Sequence, residues 1–401
     1  MSAEPTRNRH LAAPGGLFSF ADENPKQLAG TFFQASLLPY LLFLYFLAFS
    51  ANRMPWIGNF GFQYLLLFVA MTIVAGILAK ANYDLSLADS DWLHGLSESL
   101  LTVSNLLIVF GLNEAMTKRE PPPKIGCLAA LGYAAICFVL VALGVSTFAY
   151  EKHSQLLGGF GNLSSSWISY LPWAIHAEPK NALSIPTWIV HFSSVYEYLF
   201  AMNLIWEFAS CAGNTTWKGL TWGMVPLHAS SICAVTHHFF YNAPELLFLV
   251  STQGFLTLLG NTTCMIAAYR IARGNGWSLN QLLDPFGCQR QYNVLSEPPL
   301  ALQENGSTSA RLATKLLLLV VVSAYITKYG ELGLELPFNP NAPAALAFII
   351  GIPTITIIQY GTLSMGRSEG IGGMRFAGSS SLDLARGREY HEDLDEESPL
   401  K

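Results

Sequence analysis

The sequence predicts an all-α, polytopic membrane protein, and its composition carries that prediction. Only 12% of the 401 residues are charged, whereas soluble domains usually carry about 25%. The hydrophobic share is 51% and the mean hydropathy is +0.35. Apolar runs near the ~20 residues that cross a bilayer recur along the chain, and helices keep their backbone hydrogen bonds internal in lipid. The net charge of -5 gives no reason to expect a nucleic-acid partner.

Nine apolar runs have the length and composition of transmembrane helices. Nine such runs in one chain are too many for the buried helices of a soluble protein, so we expect about nine spans and a lipid bilayer as the surrounding partner. The predicted spans are residues 34–50, 60–80, 96–112, 125–149, 186–209, 219–240, 246–271, 312–329 and 342–363.

The spans and the polar segments between them divide the chain into seven parts. Trp167, Tyr170 and Trp173 suit a loop at the level of the lipid headgroups, and the Gly/Ser-rich, acidic tail has the composition of a disordered segment. The parts are a disordered N-terminus (1–28), three-helix unit A (29–113), a linker span with an interfacial loop (114–182), three-helix unit B (183–273), a polar linker (274–309), two C-terminal spans (310–365) and a disordered acidic tail (366–401).

Charge distribution gives an orientation. When the loops alternate across nine spans, most Lys and Arg residues fall on the side opposite the N-terminus. Positive residues favour the cytosolic or stromal side, so we expect the N-terminus on the lumenal or exterior side and the C-terminus on the cytosolic or stromal side. The first residues contain no apolar core, so no targeting presequence is readable.

Spans 1–3 and spans 5–7 show an internal similarity. Trp-x-Gly precedes the second span of each group, as Trp56-Ile57-Gly58 and Trp217-Lys218-Gly219. The third spans contain "ESLLTVSN" and "QGFLTLLGN", each with a polar residue, Leu-Thr and then Asn. Two three-span units joined by one span must lie parallel, as in carriers of the SWEET type, whose sites lie near the membrane midplane. We therefore expect a parallel 3+1+3 pseudo-repeat; chance similarity between apolar helices is the alternative.

Polar side chains inside the spans are costly in lipid, so we expect them to face a cavity or another helix. Gln253 and Asn261 share one face of span 7, and Glu98 and Asn105 form a similar stripe on span 3. Glu197, near the middle of span 5, suits a ligand-linked or proton-linked role. Hydrogen bonding between helices is the alternative for each stripe. The predicted ligand-binding residues are Glu98, Asn105, His191, Glu197, Gln253 and Asn261.

The histidines of the spans give a second set of candidates. A single axial histidine suffices to hold haem, and the same holds for chlorophyll, so His191, His228 and His238 are candidate pigment or haem ligands. Ten residues of helix, about 15 Å, separate His228 from His238, so these two cannot chelate one ion. No zinc spacing or catalytic motif occurs. We therefore expect no metal site and no catalytic residue, and the cofactor stays unassigned.

The adjacent pair His237-His238 invites a metal-site interpretation. Adjacent helix positions point about 100° apart, so both side chains cannot face one site. Asn242 and Pro244 mark a turn directly afterwards, which places the pair in the last turn of a helix. The stretch is therefore interpreted as a helix end with an aromatic belt.

Two segments resemble known families. Residues 36–112, ending "DWLHGLSESLLTVSNLLIVFG", resemble a membrane family of cyanobacteria and chloroplasts. Residues 183–271 resemble the family called hypothetical chloroplast reading frame forty-nine, whose pattern includes His238 but not His237. The residues that carry this second resemblance are Ser184 to Trp188, His191, Gly213-Asn214, Trp217 to Gly219, Trp222 to Met224, His228, His238 to Asn242 and Gly260-Asn261.

The resemblance implies a fusion of two families, a photosynthetic organism and a chloroplast membrane, thylakoid or envelope. It implies no activity. We expect a small-molecule carrier or binder with a polar midplane site between the two three-helix units, its ligand unknown. The alternative is a non-catalytic factor for building photosynthetic membrane complexes or for binding pigment.

Overall fold

The fold is seen in a computed structural model, which describes residues 24–117, 124–147, 176, 178–179, 181–280 and 309–365. Nine long α-helices and short turns account for this part of the chain, with no strand in it, so the all-α prediction is confirmed. The helices are α1 (Pro25–Leu47), α2 (Trp56–Tyr83), α3 (Asp91–Thr117), α4 (Lys124–Thr147), α5 (Ile185–Cys211), α6 (Lys218–Phe239), α7 (Phe248–Gly274), α8 (Ser309–Gly333) and α9 (Ala342–Ser364).

Each predicted span coincides with one of these helices. Six of them, α1 to α4, α8 and α9, are long and apolar enough to cross a membrane by length and composition. Helices α5, α6 and α7 fall short of that apolarity because buried Ser, Thr, His, Glu and Asn side chains interrupt them. The molecule thus has the helices of a multi-span membrane protein, and the crossing of α5 to α7 stays a prediction.

Several predictions lie outside the described residues. Residues 1–23 of the N-terminus predicted to be disordered (1–28) lie there, and so does the whole predicted acidic tail (366–401). The interfacial aromatic segment and most of the polar linker, residues 281–308, are also outside.

The helices of the two predicted units pack across each other. Helix α1 lies along α7 rather than along α2, and α3 lies along α5. Within each unit the second helix packs on the third, α2 on α3 and α6 on α7. Helix α4 lies against α3, α8 against α5, and α9 against α6.

Glycines allow the closest helix contacts. A Cβ on Gly111 of α3 would lie 2.4 Å from the backbone nitrogen of Gly58 on α2. A Cβ on Gly254 of α7 would lie 3.0 Å from the carbonyl oxygen of Ala29 on α1. In membranes, where lipid is as apolar as leucine, small residues let helix backbones approach and pack. These glycines therefore permit the close packing of α2 on α3 and of α1 on α7.

Candidate metal centre

Three buried histidines from three helices converge on one point. They are His94 of α3, His191 of α5 and His238 of α6, each at most 5% exposed. Their ring centroids form a nearly equilateral triangle with sides of 4.9, 4.8 and 4.7 Å. One ring nitrogen of each lies within 4.8 Å of one ring nitrogen of both others. Among the described residues this cluster has the geometry to hold a metal ion.

The N-termini of α3 and α5 are locked together beside the cluster. The carboxylate Oδ1 of Asp91 accepts a hydrogen bond of 2.8 Å from the backbone N–H of Ser184, the N-cap residue of α5. The Thr187 hydroxyl donates to the Asp91 carbonyl oxygen at 3.3 Å. A Cβ on Gly95 would lie 2.5 Å from the Thr187 hydroxyl oxygen, so glycine permits this approach. The two helices therefore start side by side and run parallel, which brings His94 next to His191.

A strained turn places His238. Helix α6 ends at Phe239, and Tyr241 and Asn242 follow with φ of 50° and 54°. Such left-handed values are uncommon outside glycine, and consecutive ones mark a turn that its surroundings hold. The Asn242 side-chain amide donates to the carbonyl oxygen of Ala88 at 3.0 Å and to the carboxylate of Asp89 at 2.8 Å. The end of α6 is thereby fixed to the turn that precedes α3.

Glu98 of α3 serves two of the histidines at once. Its Oε1 lies 3.1 Å from Nε2 of His94, and its Oε2 lies 3.3 Å from Nδ1 of His191. The opposite ring nitrogen of His191, Nε2, is buried without a partner. The His94 ring also contacts the backbone of Ala88, and the His238 ring contacts the side chain of Asn242. Ligating histidines usually give their second ring N–H to a carboxylate, which orients the ring and raises its basicity. Glu98 therefore stands where the outer shell of a metal site would place it.

The donor set suits a particular class of ion. Neutral imidazole nitrogens bind Zn, Fe, Cu and Ni ions. Ligand nitrogens at 2.0–2.1 Å from a tetrahedral ion lie about 3.3 Å apart, so nitrogens that now lie within 4.8 Å of one another have to approach by up to about 1.5 Å. A buried nitrogen without a partner, such as His191 Nε2, would otherwise cost about 1–3 kcal/mol. A bound ion would give this nitrogen a partner.

The other predicted ligand residues lie at two further places. Asn105 of α3 lies beside the carboxyl of Glu197 on α5, deeper along the same pair of helices. Asn261 of α7 donates to the carbonyl oxygen of Ser36 on α1 at 3.2 Å, and the carbonyl oxygen of Gln253 accepts from Ser230. The polar residues of α7 thus make hydrogen bonds to neighbouring helices, which was the alternative interpretation of this stripe. The six predicted ligand-binding residues therefore do not lie at one site.

The remaining histidines do not join the cluster. His228 is fully buried in α6, with both ring nitrogens unpartnered, ten residues from His238. As predicted, His237 and His238 do not face one site, because the ring centroid of His237 lies 6.2 Å from that of His238 and His237 is not part of the cluster. The helix end expected at "HHFF" is present, since α6 ends at Phe239. His238, however, belongs to the cluster as well as to the helix end.

His94 is the residue that the sequence analysis did not select. It lies four residues before Glu98, so the two share a helix face, and that spacing was the available signal. No metal site was expected, because the histidines follow no known spacing along the chain. The cluster is assembled from residues 94, 191 and 238, which only the tertiary fold brings together.

The described part of the chain has nine long helices, six of them long and apolar enough to cross a membrane, and a buried histidine–carboxylate cluster between α3, α5 and α6, which are the features of a multi-span membrane protein. Within that class, the chain belongs to the Ycf49-like family. It is 50% identical over 93 residues to the Ycf49-like protein of Synechocystis sp., a match that covers 23% of this chain and 89% of the relative. It is 37% identical over 83 residues to the uncharacterized protein ycf49 of Cyanophora paradoxa, covering 21% of this chain and 81% of the relative.

Two family models match separate segments. Residues 29–117 match a protein of unknown function (DUF3593), and residues 182–270 match a protein of unknown function (DUF2499). The predicted composition from two families, at 36–112 and 183–271, is therefore confirmed. The histidine cluster draws on both segments, since His94 and Glu98 lie in the first and His191 and His238 in the second. No solved structure shows a significant match to the chain.

Proposed function

We propose that this protein is a membrane protein that binds a divalent transition-metal ion through His94, His191 and His238, with Glu98 as the carboxylate that orients two of the ligands. One observation carries the proposal. One ring nitrogen of each of the three buried histidines lies within 4.8 Å of one ring nitrogen of both others, while Glu98 lies against ring nitrogens of His94 and His191. The small-molecule carrier or binder expected from the sequence is thereby narrowed to one that handles a metal ion.

The triangle favours a bare ion over a haem or chlorophyll. A porphyrin needs one axial histidine and a wide flat space beside it. The three imidazole rings lie less than 5 Å apart, centroid to centroid, which leaves no space among them for a macrocycle. His191 and His238 therefore serve better as ligands of one ion than as separate pigment ligands.

Charge also supports an ion at this place. Three neutral imidazoles leave a divalent ion with its full charge, which is costly to bury. The Glu98 carboxylate behind two of the rings offsets part of that charge, and Asp91 lies a turn away from His94. The acids near the cluster thus lower the cost of holding a cation in an apolar surrounding.

Location and partners rest on the family. The two relatives come from a cyanobacterium and from Cyanophora paradoxa, both photosynthetic. We propose a chloroplast membrane as the site of action, as the resemblance implied. A role in building photosynthetic complexes is a second hypothesis that rests on the family alone, because the cluster offers chemistry for an ion and not for a protein partner.

The test is metal stoichiometry on purified protein. The chain is incubated in detergent with Zn²⁺, Fe²⁺ or Mn²⁺, passed over a desalting column and analysed by mass spectrometry for metals. We expect one ion per chain in the native protein, and at least a tenfold weaker affinity in His94→Gln, His191→Gln and His238→Gln, because each removes a ligand.

His228→Gln is the matched control, because His228 is a buried histidine of α6 outside the cluster. It should bind as the native protein does. A native protein that retains none of these metals, or three cluster variants that bind as tightly as the control, would overturn the proposal.

A further inference from the structure

Helix α3 carries a ladder of polar residues along one face. Asp91, Glu98 and Asn105 follow one another at intervals of seven residues. Seven residues nearly complete two turns, so the three side chains share one face and rise about 10 Å from one to the next. All three positions face α5, the parallel neighbour.

Each of these three α3 residues has a partner on α5 at the same height along the helices. Asp91 accepts from the Ser184 N–H at 2.8 Å, and Glu98 lies 3.3 Å from His191. At the deepest level the Asn105 side chain lies beside the Glu197 carboxyl. The seam between α3 and α5 therefore holds polar groups from the start of the helices to their middle.

The deepest pair, Asn105 and Glu197, has the chemistry to bind a cation. Glu197 is 2% exposed, and its Oε2 has no hydrogen-bond partner, while Asn105 is 4% exposed. From α4, the hydroxyl group of Tyr133 interacts electrostatically with Glu197. An unpaired carboxylate is too costly in hydrocarbon, so Glu197 holds a proton unless a cation joins it.

The ladder stops at Asn105. Seven residues further along α3 lies Leu112, fully buried, and Ile205 and Phe208 of α5 are fully buried as well. These residues belong to the main apolar core. The seam is therefore polar in one half of the bundle and closed by apolar side chains in the other half.

We propose that the α3–α5 seam is a proton-coupled path for the metal ion, with the histidine cluster as its first station and Glu197 as its second. This inference rests on the proposed metal binding. Six residues of α5, about 9 Å, separate His191 from Glu197, so the two stations are distinct sites. The protein is then a carrier that exchanges a divalent cation for a proton.

One divalent ion exchanges for one proton, so each cycle also moves one net positive charge across the membrane. The ion leaves the three imidazoles and binds the Glu197 carboxyl, whose O–H proton departs to the aqueous phase from which the ion came. When the ion leaves Glu197 for the opposite side, the carboxylate takes up a proton from that side. Passage requires the apolar residues around Leu112 to separate, as in alternating access.

The experiment uses the full chain in liposomes. A metal-sensitive dye and a pH-sensitive dye are enclosed, Zn²⁺ is added outside, and both signals are followed. We expect Zn²⁺ uptake together with movement of protons outward in the native protein. Glu197→Gln, which cannot release a proton, should reduce both signals at least about tenfold while it binds one ion per chain as the native protein does.

Glu207→Gln is the matched control, since Glu207 lies near the end of the same helix and accepts a hydrogen bond from Asn203. It should transport normally. Glu197→Gln that transports at the native rate, uptake without proton movement, or a native protein that binds Zn²⁺ but transports none would each overturn the path and leave the metal site standing. A native protein that binds no metal would overturn the proposed function itself.

Discussion

Glu98 sets the chemistry of the histidine cluster at the scale of single residues. Its two oxygens reach His94 and His191, so one carboxylate fixes the orientation of two rings. Because the ligand nitrogens then lie on the opposite sides of those rings, Glu98 contributes to metal affinity without touching the ion.

Glu98→Gln should therefore weaken metal binding by about 10- to 100-fold while the fold is kept. The amide offers one acceptor oxygen in place of two, so one ring loses its partner. Competition with a chelating dye measures the affinity, and gel filtration checks the fold. Glu207→Gln, remote from the cluster, should leave affinity unchanged; equal affinity in both variants would remove Glu98 from the account.

A second buried charge lies on α8. The ammonium group of Lys328, 1% exposed, pairs with the carboxylate of Glu178 and donates to the carbonyl oxygen of Leu183. Glu331, one turn further along α8, is also buried. Lys328 lies near the end of the predicted span 312–329, and the structure uses it to join α8 to the segment before α5.

Lys328→Met should lower the free energy of unfolding by about 3–5 kcal/mol, because it leaves a largely buried carboxylate without its cation. A thermal unfolding scan in detergent measures the loss, and adding Glu178→Gln should recover part of it. Lys80→Met tests an exposed pair, since Lys80 binds Asp84 at the surface, and should leave stability almost unchanged because water screens the pair. Equal effects of both lysine variants would refute a structural role for the buried pair.

At the scale of helices, the seam between α3 and α5 depends on Gly95. A Cβ there would lie 2.5 Å from the Thr187 hydroxyl oxygen, so the helices must separate to admit it. Gly95→Ala should lower metal affinity at least about fivefold by moving His94 away from His191, measured by the same dye competition.

Gly132→Ala on α4 is the control for this prediction, because nothing lies within 4 Å of the added Cβ. It should bind metal as the native protein does. If Gly95→Ala also binds as the native protein does, the close approach of α3 and α5 is not what positions the two histidines.

The sequence predicted where the helices are but not how they pair. Hydropathy located all nine helices, because each apolar run has to be long enough to cross lipid. Helix α1 begins at Pro25, nine residues before the predicted start at residue 34. The Asn24 cap begins a helix whose first turns are less apolar than the predicted span. Glu98 and His191 were both predicted as site residues, whereas their contact depends on Gly95 and on the Asp91–Ser184 hydrogen bond, which hydropathy does not encode.

At the scale of the whole molecule, the first helix of each predicted unit packs on the third helix of the other, α1 on α7 and α5 on α3. Asn261 of α7 reaches Ser36 of α1, and Asn105 of α3 lies beside Glu197 of α5. Positions 36 and 197 are separated by the same 161 residues as Trp56 and Trp217 of the two Trp-x-Gly motifs. This correspondence supports the predicted pseudo-repeat, which we retain as a proposal.

Cysteine pairs test this arrangement. In a background without the six native cysteines, we expect the pair Ser36→Cys with Asn261→Cys and the pair Asn105→Cys with Glu197→Cys both to form disulfides on mild oxidation. Electrophoretic mobility reports the cross-links. A chain that forms neither, or only pairs within one unit, would contradict the exchanged packing.

X-ray absorption at the metal edge of the purified, metal-loaded protein tests the metal site most directly. The account predicts one ion per chain whose spectrum contains three imidazole nitrogens at about 2.0–2.1 Å. It also predicts that His238→Gln loses one of these nitrogens or the ion, while His228→Gln keeps all three. A spectrum with oxygen ligands alone, or one unchanged in His238→Gln, would contradict the histidine centre on which the account depends.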